Sequence, residues 1–348
     1  MKTMMYLLTQ KIVSFGLFCY FREVKLHGIE TVPRNKPVLF LANHQNALLD
    51  PLVIAAVTPF RSYFLTRADV FTNPVVNQVF SFLRMLPIYR MRDGRDTLGK
   101  NEAIFRQCTQ LLNKSEAILL FPEANHNIMR RVRPLSKGFT RILFATLDQY
   151  PALDVQLVPV GINYKKADAF RDSVAFYFGE PISSRALYDH KDHLGSVATI
   201  KERVYEALKE QTTHIDEQYD YLELLHYLDG TGADYLNPQE TNLAINNYQL
   251  GQKHPGKTHP PRKIKVATFI FEVINMPMLL IWRKLIKPRI DEIEFVSTYR
   301  FSFALLFQPV FYLLVWFLLA TFIDPITATA IVLVHFLYNL AYVKLRRP

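Results

Sequence analysis

The chain has 348 residues, half of them hydrophobic, and a formal net charge of +10. This length accommodates one large domain with accessory segments, and the positive charge favours an anionic partner: nucleic acid, or an anionic membrane with acidic substrates. Two cysteines exclude a disulfide framework and a thiolate metal site. The last 50 residues are far more apolar than the middle of the chain, which favours a membrane rather than nucleic acid as the anionic partner. No nucleic-acid-binding motif occurs, so no nucleic-acid partner is expected.

The N-terminal stretch is apolar over residues 4–21 but is interrupted by Gln10 and Lys11, and no small-residue cleavage site follows it. We therefore predict that residues 1–24 form an uncleaved, membrane-associated helix. The alternative is an ordinary amphipathic helix packed on the domain.

Short apolar runs then alternate with helical patterns, which predicts an α/β domain over residues 25–215. Asp50 is expected to cap the first helix of this domain, with Pro51 at its first position. The predicted strands are 37–43, 62–66, 85–89, 117–121, 155–163 and 173–178, and the further helices are 74–83, 97–113 and 137–148.

The next part of the chain changes from polar to apolar. Residues 216–265 are predicted to form a polar helical insert and linker. Residues 266–299 are predicted to form an interfacial or re-entrant helix region, because Glu272 and Pro277 interrupt an otherwise apolar run.

The C-terminal part, residues 300–348, is predicted to be a transmembrane hairpin. No charged residue lies between Arg300 and Asp324, or between Asp324 and Lys344, and each run is long enough to cross a hydrocarbon core. Basic residues flank both ends, which predicts an integral membrane protein whose two hairpin ends and α/β domain lie on the cytoplasmic side. The alternative is a hairpin buried in a soluble core.

The first segment whose side chains could take part in a reaction contains His44, in a strand-to-helix loop, and Asp50, at the start of the helix. A carboxylate there can hold the imidazole in one tautomer while its other nitrogen removes a proton from a hydroxyl. Taken alone, such a pair is more often a hydrogen-bonded loop histidine and a helix cap.

Three further segments also close strands. Arg90, in residues 87–92, offers planar recognition of phosphate, although a solvated basic edge is the ordinary interpretation. Glu123, in residues 121–127, is placed to bind polar substrate groups, with a polar turn as its alternative. Residues 158–161 form a strand whose proline would shape a pocket wall.

In this order the segments resemble the motifs of the glycerolipid acyltransferase family, which includes glycerol-3-phosphate and lysophosphatidate acyltransferases. That family has a His-x4-Asp box, an arginine at a strand end, a Phe-Pro-Glu-Gly-Thr-Arg box and an apolar strand with proline. The resemblance covers about residues 25–185 and implies a mixed sheet flanked by helices. The matching positions are His44 and Asp50, Arg90, residues 121–123 and Pro159, followed by a Lys-Gly step at Lys137.

Two features depart from the family pattern. Five residues rather than four separate His44 from Asp50, which is similar to some glycerol-3-phosphate acyltransferase relatives. Residues 124–126 read Ala-Asn-His where the family has Gly-Thr-Arg, so the phosphate-binding arginine is missing. The candidates to replace it are His126, Arg130 and Arg131.

The resemblance implies direct acyl transfer without a covalent enzyme intermediate. His44, supported by Asp50, would deprotonate the acceptor hydroxyl, which attacks the thioester of acyl-CoA or acyl-carrier protein beside the membrane lipids. No metal or cofactor is expected. The substrate-binding residues would be Arg90, Glu123, His126, Arg130 and Lys137.

The favoured acceptor is 1-acyl-sn-glycerol-3-phosphate, in phospholipid synthesis. Glycerol-3-phosphate acyltransferase and phospholipid–lysophospholipid transacylase are the next alternatives. A hydrolase that directs the same pair at water is disfavoured because no nucleophile elbow or metal-ligand motif occurs. A non-catalytic membrane lipid-binding protein would not need the oriented base.

Overall fold

The computed structural model describes residues 2–89, 99–251 and 265–345. Within these residues, eight strands form one sheet. They are β1 Glu23–His27, β2 Val38–Ala42, β3 Tyr63–Arg67, β4 Met85–Ile88, β5 Ala117–Leu120, β6 Gln156–Tyr164, β7 Ser173–Phe178 and β8 Ile182–Ser183.

The sheet is mixed, in the order β1-β7-β6-β2-β5-β3-β4, with β8 paired to β6. Strands β6, β2, β5, β3 and β4 run parallel, whereas β7 and β8 are antiparallel to β6. The predicted α/β fold with a mixed sheet is therefore confirmed. Because β2 and β5 are parallel neighbours, the loops that follow them meet at one edge of the sheet.

Helices cover both faces of the sheet and extend beyond it. They are α1 Lys2–Tyr20, α2 Leu49–Val57, α3 Pro74–Phe82, α4 Asn101–Asn113, α5 Gly138–Gln149, α6 His193–Gln211, α7 Tyr221–Thr231, α8 Pro238–Gln249, α9 Lys265–Ile274, α10 Met276–Ile281, α11 Val296–Phe322 and α12 Pro325–Lys344.

Strand β2 is buried on both faces and separates two apolar cores. Phe40 and Ala42 belong to the core that includes side chains of α1, α2 and α11. Leu39 and Leu41 belong to the core that includes side chains of α4, α5 and α6. Burial on both faces explains why β2 is a continuous apolar run in the sequence rather than an alternating one.

Helix α6 lies outside the predicted elements, although its buried Ile200, Val204 and Leu208 recur at helical spacing. It packs closely on β6. A Cβ at Gly161 would come within 1.9 Å of the Gln211 carbonyl oxygen at the end of α6. Glycine at the end of the 158–161 segment thus permits close contact between strand and helix.

The prediction that Asp50 caps a helix is wrong. Helix α2 begins at Leu49, and the Asp50 carboxylate accepts backbone N–H groups from Gln45 and Asn46, which precede the helix. The loop that carries His44 folds back over the carboxylate, so Asp50 organises the loop rather than the first turn.

Helix α1 packs on the domain and is also apolar on its outer side. Gln10 and Ser14 donate to the carbonyl oxygens of Ala55 and Ala56 in α2, and Leu17 is buried in the core. Membrane association of residues 1–24 stays a prediction, with an apolar exposed face that suits it. The exposed side chains are Met4, Met5, Leu7, Leu8, Ile12, Phe15 and Phe18.

The polar insert contains α7 and α8, which enclose a small apolar core of their own. Residues 252–264, in the predicted linker, lie outside the described residues. The buried side chains of this core are Ile215, Leu224, Leu228, Tyr235 and Ile245.

Two C-terminal helices, α11 and α12, are long and apolar enough to cross a membrane. Few residues of either helix are buried inside the protein, unlike those of a hairpin in a soluble core. Asp324 caps α12 by accepting the N–H groups of Ile326 and Thr327. The helical segments before this hairpin, 266–274 and 276–289, form a pair bent by 83°. If this pair formed one broken membrane span, the described residues would contain three candidate spans rather than two.

A polar network ties the bend between α9 and α10 to the hairpin. The Asn275 side chain exchanges hydrogen bonds of 2.8 and 2.9 Å with Asn339, and Asn339 also donates to the Tyr312 hydroxyl at 2.9 Å. His335 Nε2 lies 3.3 Å from the Asn275 amide oxygen. Paired polar groups of this kind hold helices together where water is scarce.

Asp172 is a buried carboxyl group beside the sheet, and one of its oxygens has no hydrogen-bond partner among the described residues. Burial raises the pKa of Asp172 from 3.8 to about 7, although nearby Arg130 opposes this. The unfolded chain loses this proton near pH 4 and the folded protein only near pH 7, so the folded state binds more protons in between. Stability therefore falls as the pH rises through this window, by about 4 kcal/mol at most.

We expect Asp172→Asn to remove this pH dependence. In thermal unfolding in detergent, the Tm of the variant relative to that of wild type should be clearly higher at pH 8 than at pH 5. The control is Glu180→Gln, which removes an exposed carboxylate at the end of β7. A Tm difference that is constant between pH 5 and pH 8 would refute this account of Asp172.

Candidate active site

The site is centred on the Asp50 carboxylate, which is fully buried and accepts four hydrogen bonds. Asp50 Oδ2 lies 2.8 Å from His44 Nδ1 and accepts the backbone N–H groups of Gln45 and Asn46 at 2.9 and 2.8 Å. Asp50 Oδ1 accepts the Tyr164 hydroxyl at 2.7 Å. Burial, and then the neighbouring carboxylate, raises the pKa of Tyr164, so its hydroxyl remains a donor.

The His44 imidazole is held in one orientation. An ionised carboxylate only accepts hydrogen bonds, so the contact with Asp50 makes Nδ1 the donor and Nε2 the nitrogen that can take a proton. The ring stacks on Phe121, which follows β5, with centroids 3.8 Å apart, and 14% of the side chain is exposed. Two neighbouring parallel strands thus deliver a fixed and accessible base.

Glu123 is buried next to this base and fixes the backbone around it. Its Oε2 accepts the His44 N–H at 3.3 Å and an Arg133 guanidinium N–H at 2.7 Å, and its Oε1 accepts the Arg133 N–H at 3.1 Å. Burial raises the pKa of Glu123, whereas Arg133 and the other hydrogen bonds lower it. The predicted binding of substrate by Glu123 stays a prediction, and its observed contacts support the His44 loop.

Arg130 and Arg131 anchor the helical insert to the domain. The Arg130 guanidinium donates to the carbonyl oxygens of Tyr164 and Lys165 at 2.8 and 2.7 Å and lies 3.5 Å from the centroid of the Tyr235 ring. Arg131 donates to carbonyl oxygens that precede α7. These guanidiniums are thus engaged within the protein, and a role in phosphate binding stays a prediction.

The other predicted binding residues are less closely connected to the site. Lys137 is exposed just before α5. Arg90 lies outside the described residues, so its predicted contact with phosphate stays a prediction.

His126 lies directly beside the base. Its ring meets the His44 ring edge-on, with centroids 5.6 Å apart, and contacts the Phe295 ring at 4.9 Å. Its Nε2 lies 2.6 Å from Glu292 Oε2. The His126 ring is therefore in contact with the His44 ring, while its predicted role in substrate binding stays a prediction.

The first turn of α11 and the residues just before it complete this side of the site. Thr298 Oγ1 accepts the Leu49 N–H at 3.3 Å, and the Ser297 hydroxyl donates to the Ala167 carbonyl oxygen at 2.7 Å. Sequence reasoning missed Glu292 because 166 residues separate it from His126 and no local motif marks it. Tyr164 was missed because it ends an apolar strand and reads as core.

A group of possible metal ligands also occurs here. Ligand atoms of His126, Glu292 and Glu294 lie within 4.8 Å of one another. Two members of this group, His126 and Glu292, lie at hydrogen-bond distance from each other.

Part of the chain matches a known protein family. Residues 23–163 match the family model described as Acyltransferase. The resemblance to acyltransferases predicted from the sequence is therefore confirmed for this part of the chain.

Individual relatives are distant. An uncharacterized acyltransferase of Schizosaccharomyces pombe is 24% identical over 57% of this chain, and glycerol-3-phosphate O-acyltransferase 1 of Saccharomyces cerevisiae is 20% identical over 47%. The matches span 42% and 33% of those two proteins. The crystal structure of the 1-acyl-sn-glycerophosphate acyltransferase of Thermotoga maritima is 21% identical, with a TM-score of 0.40 over 57% of this chain and 78% of that one.

Proposed function

We propose that this protein transfers a fatty-acyl group from an acyl thioester to the hydroxyl group of a glycerol-phosphate acceptor. The observation that carries the proposal is the 2.8 Å contact between His44 Nδ1 and the fully buried Asp50 carboxylate. A buried carboxylate that organises a whole loop around one accessible imidazole is the arrangement that general-base catalysis needs.

In the proposed reaction the oxygen of the acceptor hydroxyl attacks the thioester carbonyl carbon while His44 Nε2 takes the hydroxyl proton. The C–S bond then breaks, the new ester retains the acyl group, and the thiolate recovers the proton from the imidazolium. Asp50 stabilises the positive charge on His44 between these two proton transfers. Atoms and charge balance without a covalent acyl-enzyme.

The lead acceptor is 1-acyl-sn-glycerol-3-phosphate, with acyl-CoA or acyl-carrier protein as donor. Glycerol-3-phosphate is the second candidate, supported by the five-residue spacing between His44 and Asp50 and by the yeast relative whose name states that activity.

The proposed location is the cytoplasmic face of a membrane, with α11 and α12 crossing it. Basic residues flank the hairpin, which favours that orientation. Both lipid chains in the reaction are costly to transfer into water, at about 0.8 kcal/mol per methylene, so a site at the bilayer surface suits this chemistry.

The test is acyl transfer by the purified full chain in vesicles. Labelled acyl-CoA and acyl-carrier-protein donors would each be offered 1-acylglycerol-3-phosphate, glycerol-3-phosphate, a neutral monoacylglycerol and other lysophospholipids. Transfer confined to one phosphorylated acceptor would support the proposal and name the substrate. No transfer from either thioester, but transfer from a phospholipid donor, would indicate a transacylase; no transfer at all would indicate the lipid-binding protein.

A further inference from the structure

The segment between the bent helices and α11 reaches the catalytic loop. Ser297 and Thr298, in the first turn of α11, fix the end of this segment to Ala167 and to the first residue of α2. Glu292, four residues before α11, lies 2.6 Å from His126, although it is well beyond residues 23–163, which match the family model. A residue next to the membrane hairpin thus becomes part of the surroundings of the base.

The chemistry of this pair differs from that of His44 and Asp50. The Asp50 carboxylate is fully buried, whereas 59% of the Glu292 side chain is exposed and only 11% of the His126 side chain is. A carboxylate bonded to Nε2 orients the ring and complements its charge when both nitrogens carry protons. Nδ1–H of that imidazolium is then a cationic donor for an anion, in a ring whose centroid lies 5.6 Å from that of His44.

His126 stands where the family motif has its arginine, and its imidazolium is the form of this side chain that would act as a cationic donor there. An arginine is always charged, whereas a histidine benefits from a carboxylate that stabilises its charged form and fixes its direction. We infer that Glu292 is a positioning residue that holds the His126 imidazolium toward the phosphate of the acceptor. This inference rests on the proposed function and adds the membrane-proximal segment to the site.

The position of Glu292 relative to α11 suits a residue that helps to recognise a lipid headgroup. Glu292 lies four residues before α11, at the end of the helix where a lipid acceptor would present its headgroup. The acyl chain of such an acceptor remains in the bilayer while its phosphate is recognised at the surface. The same short segment therefore connects the hairpin to the catalytic loop.

The test compares wild-type protein with Glu292→Gln, with Asp291→Asn as the matched control because Asp291 is exposed on the same turn. We expect Glu292→Gln to raise the KM for the phosphorylated acceptor by about threefold to tenfold, with little change in kcat or in the KM for acyl thioester. Asp291→Asn should leave all three constants within twofold of wild type. An equal fall in kcat for every acceptor, or no change in any constant, would overturn the inference.

A double-mutant cycle makes the test specific for the pair. In a His126→Gln background, Glu292→Gln should have no further effect on the acceptor KM, because the ring that it positions is gone. Additive effects would show that Glu292 acts independently of His126 and would overturn the inference. Activity that is lost to a chelator and restored only by a divalent cation would instead assign the His126, Glu292 and Glu294 group to a metal.

A binding measurement separates this inference from the proposed function. Glycerol-3-phosphate and inorganic phosphate should raise the Tm of the wild-type protein more than that of Glu292→Gln. If wild type transfers no acyl group but this difference is found, the proposed function fails while the anion site stands. If transfer is normal and both proteins gain Tm equally, only the role of Glu292 fails.

Discussion

Replacement of His44 by alanine is expected to lower the kcat for acyl transfer by about 10²–10⁴. In the proposed reaction this variant would lack the nitrogen that takes the hydroxyl proton, while the residues proposed to bind the substrates are unchanged. The KM values should change much less than kcat. The measurement is the steady-state rate with saturating thioester and acceptor, in the same detergent or vesicles for both proteins.

Two controls keep this result interpretable. His190→Ala removes an exposed imidazole in the turn before α6 and should leave the rate unchanged. The Tm of His44→Ala should fall only to the extent expected for the loss of one hydrogen bond to the buried Asp50 carboxylate, and the variant should still unfold cooperatively. A folded His44→Ala variant that retains more than half of the wild-type rate would show that the base is another group.

Asp50→Asn is expected to cause a loss of similar size, about 10²–10⁴ in kcat. The amide oxygen can replace Oδ2 as the acceptor for His44, but the negative charge that stabilises the imidazolium is lost. The amide nitrogen would then meet the Tyr164 hydroxyl, which can rotate to accept it. The rate should therefore fall far more than the stability does.

Tyr164→Phe is the matched comparison for Asp50→Asn. It removes one of the four hydrogen bonds to the carboxylate but leaves the charge, so it should lower the stability by about 1–3 kcal/mol and the rate only modestly. Activity and unfolding of the two variants would be measured together. If Asp50→Asn retains the wild-type rate, or if Tyr164→Phe loses as much activity, the carboxylate charge is not what supports His44.

The strands could be predicted from the sequence because each is short, apolar and bounded by turns. The predicted strand 173–178 coincides with β7, and the other predicted strands match β2–β6 to within one residue at each end. Strand β1 was missed since Glu23–His27 contains charged residues on an edge of the sheet. Its pairing with β7 is a long-range contact that no local pattern shows.

In the candidate site, contacts between residues close in the sequence could be predicted, whereas contacts between distant residues could not. His44 and Asp50 are six positions apart, and their pairing could be anticipated from a loop and a helix start. The capping role of Asp50 was wrong because the same spacing allows the loop to fold over the carboxylate. Glu292 could not be foreseen, since its contact with His126 depends on how the segment before the hairpin packs onto the domain.

The most direct test of the proposed chemistry follows the labelled acyl group of a thioester donor through one time course. With the phosphorylated acceptor present, we expect the released thiol and the new ester to appear in equal amounts. Without an acceptor, the label should remain on the thioester, and denatured protein should carry none of it. Label found on the protein, or released as free fatty acid without an acceptor, would contradict direct transfer by His44 and indicate a covalent intermediate or a hydrolase.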